Sequence, residues 1–212
     1  MLPELVRTWV AGWAVSRRTP RPTEQPWGLH IEVGLPHQAG RHVLPEPDEP
    51  SVRAAATTAV TVPRTWLKVP LEPDVVEPWL PEGWVVDRAE TGHLMAVDLR
   101  TAHRPALPDG YTTTTQTREG VTYVQVHAPT GEPAAKGQAA VIGHATVIDQ
   151  VSTEPAHRRR GLGRHVMHTL TDHALDEGSA LGILGATDEG RALYESLGWK
   201  AHAPLAACIH RP

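Results

Sequence analysis

The chain has 212 residues, a net charge of −4 and 40% hydrophobic residues. That length supports one large domain or two small ones around a real core, and the acidic balance argues against a general nucleic-acid binder. No apolar run is long enough for a membrane span, and the lone Cys208 excludes an internal disulfide and argues against a cysteine-based metal site.

The chain opens on "MLPELVRTWVAGWAVSRR", where Glu4 and Arg7 interrupt the apolar run. It reads as an amphipathic helix over residues 4–16 and not as a secretion signal, which fits a cytoplasmic protein. Repeated proline in "RRTPRPTEQP" then breaks regular structure. "WGLHIEVGL" and "HVL" predict two strands around a turn through "PHQAG". After the acidic loop "PEPDEP", Ser51 predicts the cap of a short helix through "VRAAATTAV". "TWLKV" predicts a strand, "EPDVVEPWL" a short helix, and "GWVVD" and "HLMAVDL" two further strands. This half is α/β and carries no chemical motif. Trp66, Trp79 and Trp84 are its candidate core residues, with a pocket-lining role as the alternative.

"RPALPDG" marks a boundary, dividing the chain into residues 1–104 and 105–212. Beyond it, "YTTTTQT" and "VTYVQVHA" alternate with β-branched residues as strands do. "PTGEPAAKG" reads as a turn-rich link, followed by an antiparallel pair, "QAAVIG" and "HATVIDQVST". In "GLGRHVMHTLTDHALDEG", Leu162, Val166, Met167, Leu170 and Ala174 share one helical side, and Gly178 ends the helix. "ALGILGA" is wholly apolar, as in a strand buried on both faces. Thr187 or Asp188 caps a second helix in "TDEGRALYESLG", Gly198 suits the left-handed position after it, and "ACI" gives a last strand.

The turn "RRRGLGR" therefore lies where a strand hands over to a helix. The first amides of a helix lack partners in the chain, and the peptide dipoles add partial positive charge there. A phosphate satisfies both. Glycine at 161 and 163 lets a bulky diphosphate approach the backbone without meeting a Cβ. Arg158, Arg159, Arg160 and Arg164 add full charges, and guanidinium forks suit phosphate oxygens. Four arginines at a helix N-terminus oppose the dipole, so the site suits an external anion better than it suits the helix. The competing reading is a solvated turn. Neither the three-glycine dinucleotide fingerprint nor a phosphate-binding loop ending in Gly-Lys-Ser/Thr is present.

"VSTEPAHRRRGLGRHVM" followed by "LGILGATDEGRALYESLGW" resembles the GNAT superfamily of N-acetyltransferases. The family's Arg/Gln-x-x-Gly-x-Gly/Ala motif is matched by Arg158, Gly161 and Gly163, with Pro155 three residues ahead. Its Leu-Tyr-x-x-x-Gly-aromatic string is matched by Leu193, Tyr194, Gly198 and Trp199. The match covers about residues 137–199 and extends over 111–212; the first hundred residues match loosely. The resemblance implies a mixed, mostly antiparallel splayed sheet flanked by helices, with the first half as an α/β region or a degenerate copy of the same fold packed on the second. It implies that Val151 and Thr153 pair with the pantetheine arm of acetyl-CoA. It also implies that the amides of residues 159–164, Leu162 among them, bind the diphosphate. Tyr194 matches the frequent general acid, with ring packing as the alternative role. An amide near Val151 is the candidate oxyanion donor. Asp149, His144 or water would serve as base. One departure is Thr187, where an Asn that contacts the cofactor is common. The helices usual after the family's first strand are missing between Thr117 and Val121, and helices of the first half would fill their place.

The implied activity is acetyl transfer from acetyl-CoA to a primary amine of a small molecule or protein, by direct attack in a ternary complex. The protein would be a monomer or homodimer, with no metal. A non-catalytic CoA-sensing module is the alternative; a nucleic-acid binder using the Arg run conflicts with the net charge. Of the basic residues only Lys68, Lys136 and Lys200 are lysine, and with seven Trp and no Phe this reads as the composition of a GC-rich bacterial genome. His165 and His168, three apart on a helix, read as helix surface and not as a zinc pair, since no third ligand is near.

Overall fold

The computed structural model describes residues 1–102 and 106–211. Helix α1 (Leu2–Arg17) leads into β1 (Thr23–Gln25), β2 (Gly28–Leu35) and β3 (Gln38–Val43). Then come α2 (Glu49–Ala59), β4 (Thr65–Val69), the short α3 (Pro73–Val76), β5 (Trp84–Val86) and β6 (Gly92–Asp98). The second half opens with four strands, β7 (Thr112–Arg118), β8 (Val121–His127), β9 (Pro133–Ile142) and β10 (Ala145–Thr153). It closes with α4 (Leu162–Asp176), β11 (Leu181–Ala186), α5 (Asp188–Glu195) and β12 (Lys200–His210).

One 12-stranded sheet runs β1-β2-β3-β4-β12-β6-β11-β10-β9-β8-β7, with β5 added on β12. Only β3–β4 and β10–β11 are parallel. The expected mixed α+β architecture, mostly antiparallel and flanked by helices, is what the fold shows. The first half does not pack a sheet against the second. Instead the two are interleaved, because β6 lies between β11 and β12. The boundary expected at 104/105 falls outside the described residues.

The order follows from which faces the sequence makes apolar. In β11, Ile183 joins the core under α1, while its neighbour Leu184 joins the core under α4. Successive side chains of a strand alternate faces, so this strand needs a helix on each side. Helix α1 supplies Val6, Trp9, Val10 and Trp13 to one face. Helix α4 supplies Leu162, Val166, Met167 and Leu170 to the other. Each such side chain contributes about 1.5–3 kcal/mol on burial. A third core, under α2, joins Leu44, Val52, Leu67 and Trp84. Helix α1 thus covers the face of β9, β10 and β11 opposite α4. It can lie close because a Cβ on Gly12 would meet the side chain of Val147.

Several local expectations change: Thr23–Gln25 is strand inside the proline-broken stretch, and β3 starts at Gln38, within the expected turn. The cap of α2 is Asp48, whose side chain accepts from the Ser51 amide at 2.8 Å, while Ser51 returns the bond to the Asp48 amide at 3.0 Å. Ser51 is therefore the third helical position of a capping box. Pro133 to Gly137 is strand and not link, because Val124–His127 of β8 continue pairing along it. Trp84 is buried and Trp79 packs against the α2 core, but Trp66 stands on the opposite face of β4 from Leu67 and joins no core cluster.

Candidate active site

Strands β10 and β11 pair only over Ala145–Val147 and Leu181–Ile183. Beyond that they part. On its other side β10 stays paired with β9, but the register shifts between Asp149 and Ser152, and Gln150 takes the left-handed conformation at φ 53°. Two residues, Gln150 and Val151, then oppose one on β9, which is a β-bulge and bends the strand. The result is a V-shaped gap with Val151 and Thr153 along one edge and Leu184–Ala186 along the other. The strand ends in a short turn at Pro155–His157 and enters α4 through the Arg-Gly segment.

Helix α4 begins at Gly161, which is left-handed at φ 79° and provides no side-chain cap. The first backbone bond at this end runs from the His165 amide to the Gly161 carbonyl at 3.0 Å. Among the described residues, no protein group accepts from the amides of residues 159–164. An added Cβ at Gly161 would enter open space. These amides face outward at the mouth of the gap, as an anion site requires.

The side chains of the turn differ from the expectation. Arg158 is paired with Glu189 at 2.9 Å, Arg160 donates to the Tyr111 hydroxyl at 3.0 Å, and Arg164 donates to Ser196 at 3.1 Å. Among the described residues, Arg159, in the left-handed region at φ 63°, is the one arginine of the turn that makes no ion pair or side-chain hydrogen bond. Exposed pairs of this kind are worth ~0–1 kcal/mol and exchange readily, so the guanidinium groups are anchored near the turn without being committed to it. Leu162 is 1% exposed with its side chain in the core, which leaves only its amide for a ligand. Gly163 also has a different purpose. A Cβ there would lie 3.1 Å from Leu193 Cδ2 and 3.5 Å from Thr153 Oγ1, so this glycine lets α5 pack on the first turn of α4.

That packing carries Tyr194 to the gap. The Tyr194 ring is 8% exposed, within the α4 core and 6.2 Å from the Trp199 ring. Burial, with the charge of Asp149 adding to it, pushes its phenol up to about 12. It is a proton donor throughout the neutral range, and it feels Asp149 from across the fork. Thr187 caps α5 by accepting from the Gly190 amide at 3.2 Å, so its hydroxyl is already engaged.

Two candidate bases fare differently. His144 sits exposed in the β9–β10 turn, where its carbonyl accepts from Ala180 and Leu181. Five residues of strand separate it from Asp149, roughly 16 Å at the usual rise, so it is not at the fork. Asp149 is at the fork, but Arg17 grips both its oxygens and Ser16 donates to one at 3.2 Å. Both partners come from the end of α1, far from Asp149 in the chain. Gln138 Nε2 completes the join by donating to the Ser16 carbonyl at 2.6 Å. A polar groove of about 590 Å³, lined by Tyr123, Gln125, Lys136, Gln138 and Gln150, reaches the bulge from β8 and β9. A roomier cavity of about 1240 Å³ lies at the other end of β11, between Leu5, Leu99, Met167 and Trp199, and contains no part of the fork. Among the described residues, no three His, Cys, Asp or Glu side chains gather as metal ligands.

The Acetyltransferase (GNAT) family model matches residues 77–199, more than half of the chain. The chain belongs to the GNAT acetyltransferase family. The match begins within the first half and so takes in β6, in keeping with the place of that strand between β11 and β12. A GCN5-related N-acetyltransferase from Kribbella flavida superposes over 100% of this chain and 96% of its own, with TM-score 0.73 at 19% identity. A GNAT-family acetyltransferase structure from Novosphingobium aromaticivorans covers 99% of both chains with TM-score 0.62 at 15% identity. A GCN5-related N-acetyltransferase-like protein from Streptococcus suis covers 88% of this chain and 85% of its own, with TM-score 0.59 at 14% identity. At these identities the likeness is one of fold. Acyl transfer is the family's chemistry. No helix among the described residues is long and apolar enough to cross a membrane.

Proposed function

We propose that this GNAT protein transfers an acetyl group from acetyl-CoA to a primary amine by direct attack within a ternary complex. The observation that carries the reading is the row of unpartnered amides at residues 159–164, with open space at Gly161, standing at the mouth of a gap between two splayed strands. The diphosphate lies against those amides, with Arg159 as the nearest free cation. The pantetheine arm runs into the gap along Val151 and Thr153. The amine nitrogen bonds to the thioester carbonyl carbon, an amide near Val151 holds the oxyanion, and the carbon–sulfur bond breaks. Tyr194, with its proton held firmly by burial, donates to the departing thiolate. The amine's own proton leaves to water, since Arg17 and Ser16 occupy Asp149.

The same occupation of Asp149 favours the second reading, a CoA-binding module without turnover. A thiol-release assay over an amine panel separates the two. Turnover with any amine establishes the enzyme. Binding of acetyl-CoA with no release across the panel leaves the module, and no thermal shift at millimolar acetyl-CoA rejects both.

A further inference from the structure

Beside Asp149, the end of α1 and strands β3 and β4 of the first half gather a group of side chains whose charge is unbalanced. On β2 and β3, Leu29, Ile31 and Val43 face α1 in one core. Arg41, two residues before Val43, lies on that same face. On the neighbouring β4, Lys68 is the register partner of Val43, and Trp66 that of Arg41. Strand alternation therefore brings Arg41, Trp66 and Lys68 together, turned toward the end of α1. The Arg41 guanidinium lies 4.6 Å from the Trp13 ring, and that of Arg17 lies 5.3 Å from the same ring.

Three cations thus converge where the structure provides one committed carboxylate, Asp149, and Arg17 holds it. Arg41 donates one Nη to Gln38 at 3.0 Å, while its Nε and the Gln38 amide nitrogen are sealed from solvent without partners. Lys68 donates one hydrogen to the Glu90 carbonyl at 2.6 Å. Among the described residues neither Arg41 nor Lys68 has a carboxylate within ion-pair distance; Glu90 acts on both from an exposed turn, Asp149 on Arg41 and Asp87 on Lys68, each from beyond that distance. Burying unpaired charge is costly, and the cost registers on both groups. Burial, and then the Arg41 charge, pull Lys68 down to about 8; burial, and then the Arg17 charge, pull Arg41 down to about 10. A fold carries such a cost where a ligand of opposite charge offsets it. The place is tied to the fork by Asp149, whose charge reaches Tyr194 on one side and Arg41 on the other.

We propose that Arg41 and Lys68 bind the anionic group of the acceptor, so that the substrate class of this enzyme is a small primary amine bearing a carboxylate or phosphate. The inference rests on the acetyl-transfer reading above. The planar guanidinium on Trp13 takes the anion in a forked pair of hydrogen bonds, the Lys68 ammonium adds a point charge, and the amine is left facing the gap.

Two measurements test it. The first is thiol release with O-phosphoserine and phosphoethanolamine (phosphate), glutamate and β-alanine (carboxylate), and their uncharged counterparts ethanolamine and β-alanine amide. One anionic arm should exceed its uncharged counterpart at least 30-fold in kcat/KM, and which arm does so names the anion. In Lys68→Met, and independently in Arg41→Gln, that ratio should fall to within threefold of one, with Lys68→Arg restoring most of it. Lys68→Met covers the case in which Arg41→Gln fails to fold. Turnover that ignores acceptor charge, or a ratio unmoved in Lys68→Met, overturns the proposal and leaves acetyl transfer intact. The second is calorimetric titration of the same anionic amines onto the CoA-loaded wild type and Lys68→Met, which reads the anion site without turnover. Anionic amine binding that weakens at least tenfold in Lys68→Met supports the site even if the acetyl-transfer reading fails; absent or unchanged binding overturns it.

Discussion

The two mouths of the fork are built in opposite ways. The phosphate mouth is made from one contiguous segment, residues 151–164, and works through backbone: bare amides, a left-handed glycine and arginines tethered by exposed, exchangeable bonds. The proposed acceptor mouth is gathered from α1, β3, β4 and β10, and would work through side chains brought together by packing: Trp13, Arg17, Arg41, Lys68 and Asp149. A diphosphate needs donors and room, which a helix start supplies locally. Selecting one amine among many needs charges fixed in a desolvated place, which only tertiary packing supplies. The comparison suggests that cofactor binding should be sensitive to backbone geometry at one glycine, whereas acceptor choice should depend on how α1 docks.

The sharpest way to break that contrast is Gly161→Val. It places a branched side chain in the open space before the amides and at φ 79°, with a strain cost of about 1–2 kcal/mol. The protein should still fold, and acetyl-CoA affinity should drop at least 100-fold by calorimetry. A folded variant that binds normally would show that the diphosphate lies elsewhere. Next in size is Gly12→Leu, which drives a side chain into Val147 and pries α1 from β10. It should cost about 1–3 kcal/mol, read as a lower Tm, and should disturb acceptor KM more than acetyl-CoA affinity; the reverse order would deny α1 its part in the acceptor mouth. Tyr194→Phe removes a proton donor without changing the packed ring. It should lower kcat 10²-fold or more with acetyl-CoA binding within about twofold, and unchanged turnover would return Tyr194 to a packing role.

A smaller effect separates the first half's stability from its site. Burial, with His30 adding its charge, pulls His42 down to about 4, and Trp27 donates to its Nδ1 at 3.3 Å. The unfolded chain takes up this proton near pH 6.5 and the folded chain does not. Stability from this group is therefore full above pH 6.5 and is lost as the pH falls toward 4, by about 2 kcal/mol at pH 5. Urea unfolding at pH 7 and pH 5 should show this loss reduced in His42→Gln; equal slopes would remove His42 as its source. Smallest of all, Asp48→Ala should cost about 1 kcal/mol by removing the cap of α2, with no change in either mouth's binding.

Most elements, and the turn proposed to hold the diphosphate, were legible in the chain because they rest on short-range physics. Apolar periodicity specified α4, the wholly apolar "LGILGA" specified β11, and Gly161 beside Arg158 and Arg159 marked the helix start proposed to bind an anion. Even there the reason for a residue was not always legible. Gly163 and Gly161 look alike in the string, yet one makes room for α5 and the other leaves space for a ligand. Everything that needs two distant strands side by side came from the packing alone: β6 threaded between β11 and β12, Arg17 closing on Asp149, and Arg41 stacked on Trp13 with Lys68 on the neighbouring strand. A lone lysine inside "TWLKV" and an arginine inside "QAGRHV" were the available signals, and their proximity was invisible. Charge convergence is a property of register between strands, and register is fixed by the packing of whole faces, which no local window contains.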